Sequence, residues 1–420
     1  MSAARGAAFE VLRRVETTSA HSDDLLHGEA LQGLSQADRN LTTALVLGVL
    51  RWQVALDAQL RGLLDRPDQP LPGEILLALR LGAFQLLHMD RIPAHAALSE
   101  SVELVRAAGH PKAAGLVNAV LRKLTAQPRS GKPIFESVDA FATRLGHPAW
   151  MVERWTARYG RAAALAVCEF DQREPARASL FAQESDAESG ASRIDDGSRL
   201  VGELVAASHS APRRIWDACA APGGKTEILA GRHAAAEVLA TDVSPRRLQA
   251  MRLRMERELS GRAIRMLQAD ATKLAEAEGS FDLILCDVPC SGTGTLARNP
   301  EIRHRLQVEE LRRQAQRQRT ILGAALARLN VGGRLVYSTC SLEPEENEDV
   351  VSAVMESSEL DLRLVPASGL LERVQSLLDA GVVAASDERM RTLVRGEFLR
   401  TLPGANFPGD GFFAAVFERG

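Results

Sequence analysis

Two cysteines of this 420-residue chain stand where a nucleophile could act. Cys290 lies in the segment Asp-Val-Pro-Cys-Ser-Gly-Thr-Gly, residues 287–294, and Cys340 lies in Tyr-Ser-Thr-Cys-Ser, residues 337–341. Each segment follows an apolar run that predicts a strand, and a partly ionised thiol is a strong nucleophile near neutral pH. The Ser, Thr and Gly neighbours favour a chemical role for both. The other cysteines fit the usual role of small buried hydrophobes: Cys168, Cys219 and Cys286.

A glycine-containing loop predicts a ligand site on the same sheet. Gly223 and Gly224 let the backbone approach a ligand closely, and the helix that begins there favours an anionic group. The loop is not a Walker A motif, which needs glycine where this chain has Cys219, and the pattern Gly-x-Gly-x-x-Gly is absent. Carboxylates at four predicted strand ends favour a cation-bearing nucleoside, such as a sulfonium, over a pyrophosphate: Asp217, Asp242, Asp270 and Asp287.

A thiolate beside a methyl sulfonium is suited to methylation of carbon 5 of cytosine. That carbon is a poor nucleophile, but addition of a thiolate to carbon 6 gives an enamine whose carbon 5 attacks the methyl group. A base then removes the carbon 5 proton and the thiolate leaves. Enzymes that methylate amino groups place Asn/Asp-Pro-Pro-Tyr/Phe at this strand end, whereas the fourth residue here is Cys290. The residues alone do not say whether Cys290 or Cys340 is the nucleophile.

Alternating strands and helices must position these groups. From Arg214 onward, short apolar runs alternate with helical segments, which predicts a doubly wound, mostly parallel α/β sheet of Rossmann-like type with ligands at the carboxyl ends of its strands. Residues 1–127 carry apolar residues at helical spacing throughout and predict an all-α bundle, with Asp38 as a candidate cap for a helix beginning near Leu41. Residues 127–133 read as a linker and residues 183–191 as a polar surface loop.

The composition is that of an ordinary soluble protein. Apolar residues make up 45% and charged residues 25% of the chain, and the net charge of -3 gives no overall signature of nucleic-acid binding. No run of about 18 apolar residues predicts a membrane span. The five cysteines are unclustered, which favours a reducing cytoplasm, and no zinc-type spacing predicts a metal site.

The motifs resemble those of the Nol1/Nop2/Sun family of RNA cytosine-5 methyltransferases. The similar segments are residues 220–226 (Ala-Ala-Pro-Gly-Gly-Lys-Thr), 287–294 and 338–341, in the family's order. Residues 47–52 and 117–123 are similar to the NusB-type RNA-binding bundle, and this pairing resembles the Sun (Fmu) branch, which methylates bacterial small-subunit ribosomal RNA. The resemblance implies three parts: a NusB-like domain at 1–127, a helical linker and RNA-positioning subdomain at 134–211, and a methyltransferase domain at 212–420.

The resemblance also implies roles for individual residues. Cys340 would be the nucleophile, Cys290 would assist product release, and Asp287 would contact the target base and the cofactor. The residues that would hold S-adenosylmethionine are Cys219, Ala220, Ala221, Pro222, Gly223, Gly224, Lys225, Asp242, Asp270 and Asp287.

An arginine-rich stretch follows the Cys290 segment. Such a run is usually a solvated helix face, but beside a nucleotide-modifying site Arg298 and Arg303 become candidates for phosphate binding. Ribosomal RNA is the expected partner of a monomeric, metal-free cytoplasmic enzyme. A transfer RNA methyltransferase and a non-catalytic RNA-binding assembly factor are the alternatives, and the two cysteines argue against the second.

Overall fold

The computed structural model describes residues 1–28, 31–127, 137–175, 181, 194–258, 264–381 and 391–420. Residues 128–133 of the predicted linker, the start of the middle segment at 134–136 and the polar loop at 183–191 lie outside these residues. The described chain divides into two compact units. Unit 1 comprises Met1–Glu174 with Leu296–Arg305, and unit 2 comprises Pro175–Thr295 with Leu306–Gly420. The predicted middle segment therefore contributes residues 137–174 to unit 1 and residues 175, 181 and 194–211 to unit 2.

The described α-helices fall into an N-terminal series and a series that alternates with strands. The N-terminal series is α1 (Ala3–Thr17), α2 (Ser22–Leu26), α3 (Gln36–Arg61), α4 (Gly73–His88), α5 (Ala94–Ala107), α6 (Ala114–Ala126), α7 (Val138–Arg144), α8 (Ala149–Tyr159), α9 (Arg161–Asp171) and α10 (Asp196–Ser208). The second series is α11 (Gly224–Arg232), α12 (Pro245–Glu258), α13 (Ile302–Arg305), α14 (Val308–Leu326), α15 (Glu348–Ser357), α16 (Ala367–Leu371) and α17 (Gln375–Asp379).

The described strands all belong to unit 2. They are β1 (Arg214–Asp217), β2 (Glu237–Asp242), β3 (Ile264–Gln268), β4 (Phe281–Asp287), β5 (Leu329–Thr339), β6 (Leu362–Val365), β7 (Val394–Arg395), β8 (Phe398–Arg400) and β9 (Phe413–Arg419).

Unit 1 is built around the bundle α1–α6, as the apolar spacing predicts. Its core includes Phe9, Leu45, Leu79 and Leu121, which lie on different helices and are almost fully buried. Helix α3 is long and apolar enough by length and composition to cross a membrane, but half of its most apolar window is buried within the protein. We therefore describe α3 as a core helix of the bundle, where burial of its apolar face stabilises the fold.

The predicted start and cap of α3 are both wrong by a few residues. The helix begins at Gln36, not near Leu41, and its cap is Ser35, whose hydroxyl oxygen accepts a hydrogen bond from the Asp38 amide at 3.1 Å. The Ser35 hydroxyl also donates to Asp38 Oδ2 at 2.7 Å. Asp38 thus lies in the first turn, where its negative charge is favourable against the helix dipole.

Unit 2 is a doubly wound sheet, and this prediction is confirmed. The strand order is β3-β2-β1-β4-β5-β9-β8-β7, with β6 paired to β9. Strands β1 to β5 pair in parallel, whereas β9 pairs antiparallel with β5. From β1 the chain first adds β2 and β3 on one side of the sheet and then adds β4 and β5 on the other side. The loops after β1 and β4 therefore lie at the topological switch point, where ligands of such folds bind.

Candidate active site

The loop between β1 and α11 is shaped by Gly223. This residue has φ of +97°, in the left-handed region, and it precedes the first turn of α11. A Cβ atom at this position would lie 2.8 Å from the Met251 side chain and 2.9 Å from that of Met255, both on α12. Glycine is therefore required both for the turn and for the close approach of α12.

Asp217 ends β1 as predicted and presents an unused oxygen. Its side chain is buried, and the Thr226 hydroxyl donates to Oδ2 at 2.6 Å. Among the described residues, Oδ1 has no hydrogen-bond partner. Burial raises the pKa of this carboxyl to about 7. A buried, unsatisfied carboxylate oxygen at the carboxyl end of a strand is a group that a polar ligand would complete, as a cofactor site requires.

Asp242 and Asp270 differ in how much of the carboxylate is exposed. Asp242 ends β2 and is buried, accepting hydrogen bonds from the Ser244 amide at 2.8 Å and the Ala221 amide at 3.2 Å. The second contact ties the end of β2 to the glycine loop. Asp270 lies two residues after β3 and is exposed, and hydrogen bonds from the amide and hydroxyl of Thr272 lower its pKa. Both can accept hydrogen bonds from nucleoside hydroxyl or amino groups.

Lys225 and Asp287 join the glycine loop to the loop after β4. Lys225 Nζ donates to Asp287 Oδ2 at 2.7 Å and lies 4.9 Å from the centre of the Phe412 ring. The Ser338 hydroxyl donates to Asp287 Oδ1 at 2.7 Å. The predicted cofactor loop and the loop that carries Cys290 are therefore parts of one site. The Lys225 ammonium and the Ser338 hydroxyl orient the Asp287 carboxylate within it.

The structure brings Cys290 and Cys340 together. Their Sγ atoms lie 3.2 Å apart, and both residues are half-buried. The hydrogen bond with Cys340, together with burial, raises the pKa of Cys290 well above that of an ordinary thiol. Cys290 therefore keeps its proton at neutral pH and can donate it in a hydrogen bond to the sulfur of Cys340.

The remaining cysteines show the properties of buried thiols. Cys168 and Cys286 are fully buried, Cys219 is half-buried, and burial raises the pKa of each of the three. Thiols with raised pKa values are poor nucleophiles at neutral pH, which fits the packing role predicted for them.

A polar network that the sequence pattern did not predict lies next to the two cysteines. The Ser291 and Ser341 hydroxyl oxygens lie 3.0 Å apart, so the residues after the two cysteines are paired as the cysteines are. The Ser291 amide donates to Glu346 Oε1 at 2.8 Å, and Glu346 is fully buried. The only signal in the sequence was an acidic run, residues 343–349, directly after Cys340, and such runs usually mark solvated surface.

Arg303 is not a surface residue, which corrects the prediction that it binds phosphate. It lies in unit 1, is 1% exposed, and donates hydrogen bonds to the carbonyl oxygens of Arg51 at 3.1 Å and Gly146 at 3.0 Å. A guanidinium enclosed in this way cannot reach RNA, so we assign it a structural role. Arg298 lies in the same segment of unit 1 and is exposed, and its proposed RNA contact stays a prediction.

Two protein families match separate parts of this chain. Residues 206–418 match the family described as 16S rRNA methyltransferase RsmB/F, and residues 2–126 match the NusB family. The chain is 30% identical to the probable ribosomal RNA small subunit methyltransferase B of Bacillus subtilis, over 99% of this chain and 98% of the relative. It is 34% identical to ribosomal RNA small subunit methyltransferase B of Xanthomonas campestris, over 78% of this chain and 82% of that protein.

Solved structures support the fold. The crystal structure of PH0851 has a TM-score of 0.72 at 20% identity and covers 99% of this chain and 98% of its own. A methyltransferase homologue from Pyrococcus horikoshii has a TM-score of 0.50 at 23% identity and covers 68% of this chain and 99% of its own. The resemblance inferred from the motifs is thus confirmed in both parts of the chain. This protein belongs to the RsmB/F methyltransferase family and is an RNA methyltransferase that uses S-adenosylmethionine as its methyl donor.

Proposed function

We propose that the protein methylates carbon 5 of a cytosine in 16S ribosomal RNA through a covalent bond between Cys340 and carbon 6 of the base. The observation that carries this proposal is the 3.2 Å separation of the Cys290 and Cys340 sulfur atoms. Cys290 follows Asp287 by three residues, and Ser338, two residues before Cys340, donates a hydrogen bond to Asp287. Two thiols at the ligand edge of the sheet suit a reaction that forms and then breaks a carbon–sulfur bond. The target follows from the relatives, which are named as small-subunit ribosomal RNA methyltransferases.

The cofactor supplies an electrophilic methyl group on a sulfonium when it is bound. Its site would be formed by the loop at residues 219–225, with the buried, unpaired Asp217 Oδ1 and the carboxylates of Asp242 and Asp270 as acceptors for its polar groups. The carboxylates of Asp242 and Asp270 provide negative charge near a cationic ligand. They are a good match in charge and in hydrogen bonding for this cofactor.

The two cysteines would divide the work between them. The Cys340 thiolate adds to carbon 6, and the electron pair of the 5,6 double bond makes carbon 5 the nucleophile that takes up the methyl group. Loss of the carbon 5 proton to a base restores the double bond, and Cys340 leaves as a thiolate. Cys290, which holds its proton, would donate a hydrogen bond to the departing sulfur and so speed release.

The remaining groups orient the substrate. Asp287, held by Lys225 and Ser338, would contact the flipped base. The NusB-family match at residues 2–126 supports an RNA-binding role for the bundle, to which Arg298 would add a phosphate contact. We further propose that the enzyme acts as a monomer without a metal ion in the cytoplasm, where its five free cysteines would stay reduced.

The test compares the two cysteine variants on precursor 16S ribosomal RNA and on transfer RNA with radiolabelled cofactor. Cys340→Ala should lose methylation by at least about 1,000-fold, because the nucleophile is gone. Cys290→Ala should accumulate a protein–RNA adduct that survives denaturation. Cys168→Ala, in unit 1, should methylate as the parent does. If Cys290→Ala abolished methylation and Cys340→Ala accumulated adduct, the roles of the two cysteines would be exchanged. Labelling of transfer RNA alone would show that transfer RNA is the substrate. Labelling of neither RNA would favour a non-catalytic assembly factor.

A further inference from the structure

Glu346 is a buried acid with three donors aimed at its side chain. It lies at the end of a short 3-10 turn, Pro344–Glu346, six residues after Cys340, and has no exposed surface. Its carboxylate accepts hydrogen bonds from the Ser291 amide at 2.8 Å, from the Ser291 hydroxyl, and from Gln318 Nε2 at 3.0 Å. The reaction described above gives this acid no task, although burying it costs free energy.

The contacts of Glu346 converge on the backbone around Cys290. Ser291, which follows Cys290, places both of its polar groups on the carboxylate. Gln318 also donates from Nε2 to the carbonyl oxygen of Pro289, which precedes Cys290, at 3.0 Å. The residues on both sides of the thiol are therefore held by the Glu346–Gln318 pair, which fixes the backbone that carries Cys290.

The charge of Glu346 also influences the protonation of Cys290. Three titratable side chains face Cys290: Tyr337 of β5, Cys340 directly after β5, and Glu346. Arg319 of α14 faces Tyr337. Burial raises the pKa of Glu346, and the hydrogen bonds from Ser291 and Gln318 oppose this effect by favouring its ionised form. The negative charge of Glu346 adds to the effects of Cys340 and burial in raising the pKa of Cys290.

We propose that Glu346 is a positioning residue that, through Ser291, holds the sulfur of Cys290 beside that of Cys340 for the release step. This inference rests on the proposed function, because it assigns Glu346 to the step in which Cys340 leaves carbon 6. It predicts that loss of the carboxylate slows release and leaves addition and methyl transfer nearly intact.

The test measures covalent adduct and single-turnover methyl transfer between pH 7 and 9.5 for the full chain. In Glu346→Gln the shape is kept and the charge is lost, so the pH above which adduct accumulates should be lower than in the parent. The rate of the first methyl transfer should stay within about threefold of the parent, since the nucleophile is unchanged. Glu345→Gln, which removes the same charge one residue earlier, should behave as the parent.

Ser291→Ala is the second variant, because Glu346→Gln could lower stability. It removes one link to the carboxylate and should raise the amount of adduct in the same direction, to a smaller extent. An unchanged adduct profile in a folded Glu346→Gln or Ser291→Ala variant, with Cys290→Ala still trapping adduct, overturns this inference alone. Absence of adduct in Cys290→Ala overturns the release mechanism of the proposed function instead.

Discussion

The ammonium of Lys225 donates to the carboxylate of Asp287 across 2.7 Å, with side-chain exposures of 9% and 27%. Lys225 belongs to the loop that would hold the cofactor, and Asp287 belongs to the loop that carries Cys290. The ion pair therefore couples the two halves of the site. A residue predicted only to bind cofactor has a second task, which is to orient the acid that would contact the base.

We expect the Lys225–Asp287 pair to show strong coupling in a double-mutant cycle. Lys225→Met leaves Asp287 partly buried without its cation and should lower the free energy of unfolding by about 3 kcal/mol. Asp287→Asn should cost less in the Lys225→Met background than in the parent, giving a coupling of about 1–3 kcal/mol. Urea unfolding of the four proteins without cofactor measures it. Additive effects would show that the two side chains do not act as a pair.

The sequence predicted the position of this site well, because its signals were local. Apolar runs ending in Asp217, Asp242 and Asp287 predicted strand ends, and the structure has β1, β2 and β4 ending at these residues. In a parallel sheet these ends must share an edge, so the pattern also predicted that the carboxylates lie on the same side.

Burial was the property that the sequence could not supply. Arg303 lies in an arginine-rich stretch and was assigned to the surface, yet the fold encloses it in unit 1. Glu346 belongs to an acidic run and was overlooked, yet it is fully buried behind Cys290. In both residues a charge is stabilised by hydrogen-bonding groups from distant parts of the chain, such as the Gly146 carbonyl and the Ser291 amide. No local pattern reports such contacts.

Gly223 should not tolerate a side chain. Gly223→Ala places a Cβ atom against Met251 and forces a residue with positive φ to carry it, so stability should fall by about 1–3 kcal/mol. Distortion of the loop should also weaken S-adenosylmethionine binding at least about tenfold, as measured by calorimetry. Gly231→Ala is the matched control, since Gly231 lies in α11 with open space at its Cβ position. It should be neutral or stabilising by up to about 1 kcal/mol, and equal losses in both variants would contradict this assignment.

Asp217 should make the cofactor-free protein less stable as pH rises. Burial raises the pKa of Asp217 to about 7 from an ordinary value of 3.8, so the folded state binds a proton that the unfolded state has released between these values. The stabilisation from this proton is complete below pH 3.8 and is lost as pH rises through about 7. Asp217→Asn removes this contribution. Relative to the parent, its free energy of unfolding should therefore rise from pH 4 to 8, as measured by urea titration, and a difference independent of pH would exclude a raised pKa.

We expect Arg303 to have a structural role and Arg298 to have an RNA-binding role. Arg303→Met leaves the carbonyl oxygens of Arg51 and Gly146 without this donor, so the free energy of unfolding should fall by about 3 kcal/mol or more. Arg298→Ala should lower the free energy of unfolding by no more than about 1 kcal/mol, because this side chain is exposed and exposed contacts contribute little. If Arg298 binds a phosphate, its loss should reduce the magnitude of the slope of log affinity against log salt by about 0.7–0.9 for RNA binding. If Arg303→Met were as stable as the parent but bound RNA more weakly, the structural role of Arg303 would be wrong. An unchanged salt slope in Arg298→Ala would exclude a phosphate contact by Arg298.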